Sequence, residues 1–200
     1  MSQPAWQSLN VHLQDIKLGI RHILFGLDHL LFVASLMLIV RNWRVLVTTI
    51  TAFTIAHSIT LALATFRFVS LPSTPVEAMI ALSILLVAAE AVRMERGETS
   101  LTITWPWVVA FGFGLLHGFG FAGAMADLGL AQQDIPMALL FFNVGVEIGQ
   151  LTFIAALLMV GYAARLIFLL GRPARVAAAY GIGVIAAFWT VERLATIFLG

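Results

Sequence analysis

The 200-residue chain contains no cysteine, and only 10% of its residues are charged. Without cysteine there can be no disulfide and no thiolate ligand, so any metal site must use imidazole, carboxylate, amide or hydroxyl groups. Soluble domains carry charge on about a quarter of their residues, whereas this chain is 61% hydrophobic with a mean hydropathy of +1.01. The composition therefore predicts an integral membrane protein surrounded by the lipid bilayer.

The charge of the chain is almost balanced, with a formal net charge of +1. A nucleic-acid partner would require clustered basic residues, so we expect no nucleic-acid partner. Residues 1–17 lack the basic start, apolar stretch and small-residue cleavage site of a signal peptide. Apolar residues recur there at steps of four and three, which predicts a short amphipathic helix over residues 1–18 lying on the membrane surface.

Six apolar stretches approach the length of about 20 residues that a membrane-spanning helix needs. The connections between them are too short to hold a second domain. We therefore predict an all-α, polytopic membrane helix bundle, with residues 19–200 forming a single transmembrane domain. The predicted spans are 19–40, 45–68, 76–92, 105–125, 136–161 and 176–199.

Basic residues are concentrated in the first, third and fifth connections between the predicted spans. Cytoplasmic loops of membrane proteins carry an excess of lysine and arginine, so we expect these three connections to be cytoplasmic. Both termini would then lie on the outer side of the membrane. The residues concerned are Arg41, Arg44, Arg93, Arg96, Arg165, Arg172 and Arg175.

Polar and ionisable side chains inside the predicted spans fall at a common depth, in the outer half of the bilayer. Such groups cost several kcal/mol in hydrocarbon unless they face a cavity or one another, so their common depth favours one shared metal or proton site. His22 and His29, seven residues apart, share a helix face with Gly26 between them. For any single histidine, a packing role with a hydrogen bond is the alternative. The candidate residues are His22, Asp28, His29, His57, Glu77, His117, Asn143 and Glu147.

The two halves of the sequence show a weak internal similarity. A shift of 88 residues superimposes Phe25-Gly26-Leu27-x-His29 on Phe113-Gly114-Leu115-x-His117. The first and fourth spans run in opposite directions, so the prediction is an inverted repeat of three plus three spans, as in many secondary transporters.

Four segments together resemble the HupE/UreJ family, and the resemblance extends over nearly the whole chain from Gly19 onward. The family's first-helix signature is His-Pro-x-x-Gly-x-Asp-His, which corresponds here to residues 22–29. Ile23 replaces the proline, so we expect the helix to continue without a break there. The other three segments are Phe53-Thr54-Ile55-Ala56-His57-Ser58, residues 113–122 (FGLLHGFGFA) and residues 142–150 (FNVGVEIGQ).

The resemblance implies a multi-pass protein of the bacterial inner membrane that acts as a permease for nickel or another divalent metal. Members are linked with hydrogenase and urease systems, so metalloenzyme-maturation proteins or a second copy of the chain are the candidate protein partners. Imidazole and carboxylate ligands suit nickel, zinc and cobalt alike, and ligand type alone does not choose among them.

Three functions are compatible with these residues. In a permease, an ion entering from the outer side would lose water and be held by the candidate residues, with Asn143 and Glu77 outermost. Proton exchange at the histidines could drive transport. In an intramembrane hydrolase, three histidines would hold zinc while Asp28 or Glu147 acts as general base. In a membrane subunit, the metal would serve only folding or partner recruitment.

Overall fold

A computed structural model of the protein describes residues 5–121, 123, 133–166 and 171–199. Every regular element in these ranges is an α-helix, so the predicted all-α class is confirmed. The helices are α1 (Ala5–Phe25), α2 (Leu27–Ile39), α3 (Trp43–Thr65), α4 (Ser73–Glu95), the one-turn α5 (Leu101–Thr104), α6 (Pro106–Gly120), α7 (Ile135–Leu166) and α8 (Arg172–Leu199).

Four of these helices, α3, α4, α7 and α8, are long and apolar enough to cross a membrane. The bent pair formed by α1 and α2 passes the same test as one unit, which brings the number of candidate spans to five. α6 is apolar but has only 15 residues, and the end of the predicted fourth span, residues 124–125, lies outside the described residues. The count of six spans and the inverted repeat therefore stay predictions.

The first predicted span is divided into two helices at Gly26, and the axes of α1 and α2 differ in direction by 69°. The Gly26 N–H donates to the carbonyl oxygens of His22 and Ile23, at 3.0 and 3.2 Å. A Cβ on Gly26 would lie 2.5 Å from the His22 carbonyl oxygen and 2.9 Å from Nδ1 of His29. The expectation of an unbroken helix is therefore wrong, because glycine permits the sharp turn that the missing proline would have favoured.

The prediction separated an N-terminal helix (residues 1–18) from a first span that begins at residue 19. In the structure, α1 is one continuous helix across this boundary. From His12 onward, α1 packs along α7. Gly145 of α7 brings the two backbones together, because a Cβ there would overlap the Ile16 carbonyl oxygen. Whether the start of α1 lies on the membrane surface stays a prediction.

Three helix pairs build the bundle: α1 with α7, α3 with α6, and α4 with α8. Each pair joins one helix from the first half of the chain to one from the second half. Lipid tails are as apolar as leucine, so close van der Waals packing, not the removal of apolar surface from water, holds such pairs together. The larger of two buried apolar clusters contains Phe32, Leu36, Ile50, Phe53, Ile80 and Ile84 of α2, α3 and α4, together with residues of α6, α7 and α8.

A network of ion pairs gathers the arginine-rich connections at one end of the bundle. Glu95, at the end of α4, accepts two hydrogen bonds from Arg175 of α8, at 2.7 and 3.0 Å, and one from Arg41 at 3.1 Å. The Glu95 side chain is only 6% exposed. The first, third and fifth connections thus share one end, as the predicted orientation requires, while its assignment to the cytoplasm stays a prediction.

Replacing Glu95 with glutamine should lower the melting temperature of the detergent-solubilised protein by about 2–4 °C, the shift that a change of ~1 kcal/mol produces in a chain of this size. The neutral amide leaves two arginines without their shared charge partner. Glu98→Gln is the matched control, because Glu98 is 46% exposed and pairs with the exposed Arg93. Equal melting temperatures for the two variants would show that the network does not hold the helix ends together.

Candidate functional site

Four of the five histidines meet between α1, α2, α3 and α6. The ring centroid of His29 lies 4.5 Å from that of His22, 5.2 Å from that of His117 and 5.9 Å from that of His57. His22 and His57 are 5.8 Å apart. We refer to these four side chains as the imidazole cluster. The predicted convergence of the histidines is thus present in the fold, with His29 at the centre.

The break at Gly26 explains how His22 and His29 reach the same place. His22 lies in the last turn of α1 and His29 in the first turn of α2, so the two rings approach each other across the break. His57 arrives from α3 and His117 from α6, on the faces where these two helices pack together. Gly118 permits that approach, because a Cβ at this position would overlap the His57 carbonyl oxygen and the Thr60 hydroxyl.

Most ring nitrogens of the cluster are buried without a hydrogen-bond partner. His117 is the informative exception, since its Nδ1 lies 2.9 Å from the Phe113 carbonyl oxygen. A carbonyl can only accept, so Nδ1 carries the ring proton and Nε2 keeps a free lone pair, the arrangement that metal-bound histidines adopt. The unpartnered nitrogens are Nε2 of His22, Nε2 of His29, Nδ1 and Nε2 of His57, and Nε2 of His117.

Aromatic rings surround the imidazole cluster and exclude polar neighbours. Phe121 lies 3.9 Å from the His22 ring, while Phe53 and Phe32 lie 5.0 and 5.1 Å from the His117 ring, all between centroids. His57 is fully buried and His117 is 1% exposed. An unsatisfied buried polar atom costs about 1–3 kcal/mol, so the unpartnered nitrogens of the four imidazoles are costly in this environment unless a ligand binds them.

The spacing of the rings suits a shared ion, although the nitrogens do not converge on one. Around a tetrahedral ion with nitrogen ligands at about 2.0–2.1 Å, ring centroids would lie roughly 5 Å apart, close to the observed separations. Among the described residues, however, no three histidine, aspartate or glutamate side chains are arranged to hold one metal ion. Binding would therefore require the rings to rotate about their side-chain bonds.

Asp28 and Glu77, predicted as further ligands, are engaged by Arg193 of α8. Arg193 Nη2 donates to Asp28 Oδ2 at 3.2 Å, and its Nη1 donates to the Glu77 backbone carbonyl at 2.8 Å. Its Nε lies 4.0 Å from the Glu77 carboxylate. Arg193 also lies over the Trp189 ring, 5.5 Å from its centroid. The two carboxylates thus form an ion-pair group beside His29, separate from the imidazoles.

Glu147 and Asn143, the candidates on α7, also have partners outside the imidazole cluster. Glu147 Oε1 accepts a hydrogen bond of 2.8 Å from the Thr51 hydroxyl. Asn143 Nδ2 donates to the Leu139 carbonyl of its own helix at 2.8 Å. The predicted single polar layer is therefore divided into the imidazole cluster, the Arg193 group and a group around Glu147.

The sequence does not by itself assign Arg193 and Thr51 to these groups. Arg193 contacts Asp28, from which it is separated by 165 positions in the sequence. The usable signal was charge: Arg193 is an arginine inside the last apolar stretch, which requires a carboxylate partner.

One family model, described as HupE / UreJ protein, matches residues 3–193. A search of curated proteins found no match, and neither did a search of solved structures. The matched range includes every member of the imidazole cluster, Glu147 and Arg193. With nearly the whole length matched, the chain is a membrane protein of the HupE/UreJ family.

Proposed function

We propose that this protein is a permease for a divalent transition-metal ion and that the imidazole cluster is its central binding site. The observation that carries the proposal is the set of buried ring nitrogens without partners on His22, His29, His57 and His117. HupE/UreJ is a nickel/cobalt transporter-like family. Nickel is therefore the first ion to test, with cobalt and zinc next, because imidazole binds all three.

The rotation that the rings need is compatible with transport. A permeating ion must bind well enough to enter and weakly enough to leave. A cluster that closes around the ion only when side chains rotate holds it less firmly than a rigid four-coordinate site, since part of the binding energy is spent on the rearrangement. His117, whose tautomer is fixed by the Phe113 carbonyl, offers one ligand that needs no change of protonation.

In this proposal Asp28 and Glu77 act as the outer entrance for the ion. Arg193 balances their charge while the entrance is empty, and a dication competes with the guanidinium for the Asp28 carboxylate. Asp28 adjoins His29 in the first turn of α2, so an ion attracted there is next to the cluster. The membrane concerned is proposed to be the bacterial inner membrane, with this end of the bundle facing outward.

The intramembrane hydrolase is less well supported by the geometry. A zinc hydrolase needs a carboxylate or similar base close to the metal-bound water. Within the part of the chain that the structure describes, Asp28 pairs with Arg193 and Glu147 accepts from Thr51. Neither carboxylate is hydrogen-bonded to an imidazole of the cluster.

The direct test is uptake of nickel, cobalt, zinc and manganese into liposomes containing the purified protein. We expect saturable uptake of at least one ion, above that of protein-free liposomes, and little uptake of manganese because it is the weakest binder in the series. Absence of flux, combined with zinc retained in a fixed ratio after purification, would contradict the permease and favour the hydrolase or a structural metal.

A further inference from the structure

A second polar group lies between α3 and α7, apart from the imidazole cluster. It consists of Thr51, Thr54, Glu147 and Gln150, which we call the oxygen quartet. The Thr51 hydroxyl donates to Glu147 Oε1 and the Thr54 hydroxyl contacts Gln150 Oε1, both at 2.8 Å. Residues three apart share a helix face, so the two contacts lie side by side.

Thr51 differs from Thr48, Thr49 and Ser58, which also lie on α3, in the direction of its hydroxyl group. Thr48, Thr49 and Ser58 each donate to the carbonyl four residues earlier in their own helix, as expected for hydroxyls in apolar surroundings. Thr51 instead donates across to α7. The hydroxyl is thus committed to the Glu147 carboxylate and not to helix stabilisation.

Two polar atoms of the oxygen quartet lack a hydrogen-bond partner, and its carboxylate lacks a positively charged partner among the described residues. Glu147 Oε2 and Gln150 Nε2 are both shielded from solvent without a hydrogen-bond partner, and Gln150 is fully buried. Among the ion pairs of the described residues, none includes Glu147. A carboxylate inside the apolar part of a bundle is costly unless a proton or a positive charge accompanies it, so a bound cation would stabilise the ionised form of Glu147.

The donors of the quartet are chemically different from those of the imidazole cluster. Carboxylate, hydroxyl and amide oxygens suit hard cations, whereas imidazole nitrogens suit transition metals. The amide of Gln150 can also adapt: the Thr54 hydroxyl can donate to the Ile50 carbonyl instead, at 3.2 Å. Rotation of the amide by 180° would then let Nε2 donate to Thr54 and would place Oε1 where the unpartnered Nε2 now lies.

The charge of the quartet favours a monovalent ion. One carboxylate and three neutral oxygens give a net charge of −1, which a single monovalent cation neutralises. A dication would leave an uncompensated positive charge inside the bundle. We propose that the oxygen quartet binds a sodium ion, and that this ion is coupled to metal transport.

The proposed coupling between sodium and metal rests on the proposed permease. The two sites are close together on α3. Thr54 of the quartet and His57 of the imidazole cluster are three residues apart on α3, so they occupy neighbouring positions on one helix face. A sodium ion at the quartet fixes α3 against α7 close to the metal site. Its gradient can then favour one arrangement of the cluster over the other.

Sodium binding can be tested without transport, by the melting temperature of the detergent-solubilised protein in NaCl or choline chloride at equal ionic strength. We expect a saturable rise of about 2–4 °C with sodium, absent in both Glu147→Gln and Thr51→Val. Glu192→Gln is the control, because Glu192 is an exposed glutamate of α8. A sodium effect that persists in both quartet variants, or equal melting in the two salts, would overturn the site.

Coupling is tested by nickel uptake into liposomes at equal pH on both sides, with the membrane potential clamped by potassium and valinomycin. A tenfold inward sodium gradient should raise accumulated nickel about tenfold for one sodium ion per metal ion, and Glu147→Gln should abolish this gain. Uptake driven by a pH gradient and indifferent to sodium would overturn the coupling. Absence of nickel flux with the sodium-dependent melting shift intact would contradict the permease and still support the sodium site.

Discussion

Replacing His29 with alanine should abolish metal uptake, with a loss of about 100-fold or more. His29 is the central ring of the imidazole cluster, and its ring centroid lies within 5.9 Å of those of the other three histidines. Removal of an outer-shell partner of a metal ligand typically costs 10–100-fold in affinity or activity, and removal of a central ligand should cost at least that. The measurement is initial nickel uptake into liposomes.

The matched control for this variant is His12→Ala. His12 is the one histidine outside the cluster, and its ring stacks on Phe141 with a centroid distance of 4.2 Å. This variant should retain most of the uptake, which separates loss of a ligand from loss of any histidine on α1 or α2. Full uptake by His29→Ala, with correct insertion of the protein, would exclude the imidazole cluster as the transport site.

Replacing Gly118 with alanine should impair both stability and transport. A methyl group there would overlap the His57 carbonyl oxygen and would lie 3.0 Å from the Leu61 nitrogen, both on α3. These are backbone atoms, so α6 must move away from α3 and carry His117 away from His57. Overpacking of this kind costs typically about 1–3 kcal/mol, and we expect a lower melting temperature together with reduced nickel uptake.

Gly112→Ala provides the comparison on the same helix. A Cβ at Gly112 meets nothing within 4 Å, and alanine is a better helix former than glycine by about 1 kcal/mol. This variant should match or exceed the stability of the natural sequence and should keep its transport activity. Similar behaviour of the two variants would mean that contact between α6 and α3 at Gly118 is not required for the site.

Long apolar runs located most helices well from the sequence. The predicted span 45–68 corresponds to α3, 76–92 lies within α4, and 136–161 lies within α7, which reaches Leu166. Apolar runs predict the positions of these helices well because charged, proline or glycine residues mark the ends of each run. The apolar pattern did not predict the break at Gly26, because apolar residues continue on both sides of it. The turn depends instead on the close approach of Gly26 to the His22 carbonyl.

The site could be predicted only in part. Equal depth in the membrane correctly brought His22, His29, His57 and His117 together. The depth of a residue in the membrane does not determine which neighbouring helix its side chain faces, however. Depth therefore could not show that Glu147 is bonded to Thr51 and lies apart from the imidazoles. The engagement of Asp28 by Arg193 depends on how α8 packs against α2, which a single sequence does not encode locally. The ligand roles of all eight candidate residues, the four histidines included, stay predictions.

The pairing of helices across the two halves of the chain also bears on how the protein is made. His22, His29 and His57 leave the ribosome well before His117, and α3 enters the membrane before its partner α6 exists. Until α6 has been synthesised, the other three histidines of the cluster lack His117. The complete imidazole cluster is therefore a property of the finished chain, and a product that ends before α6 cannot form it.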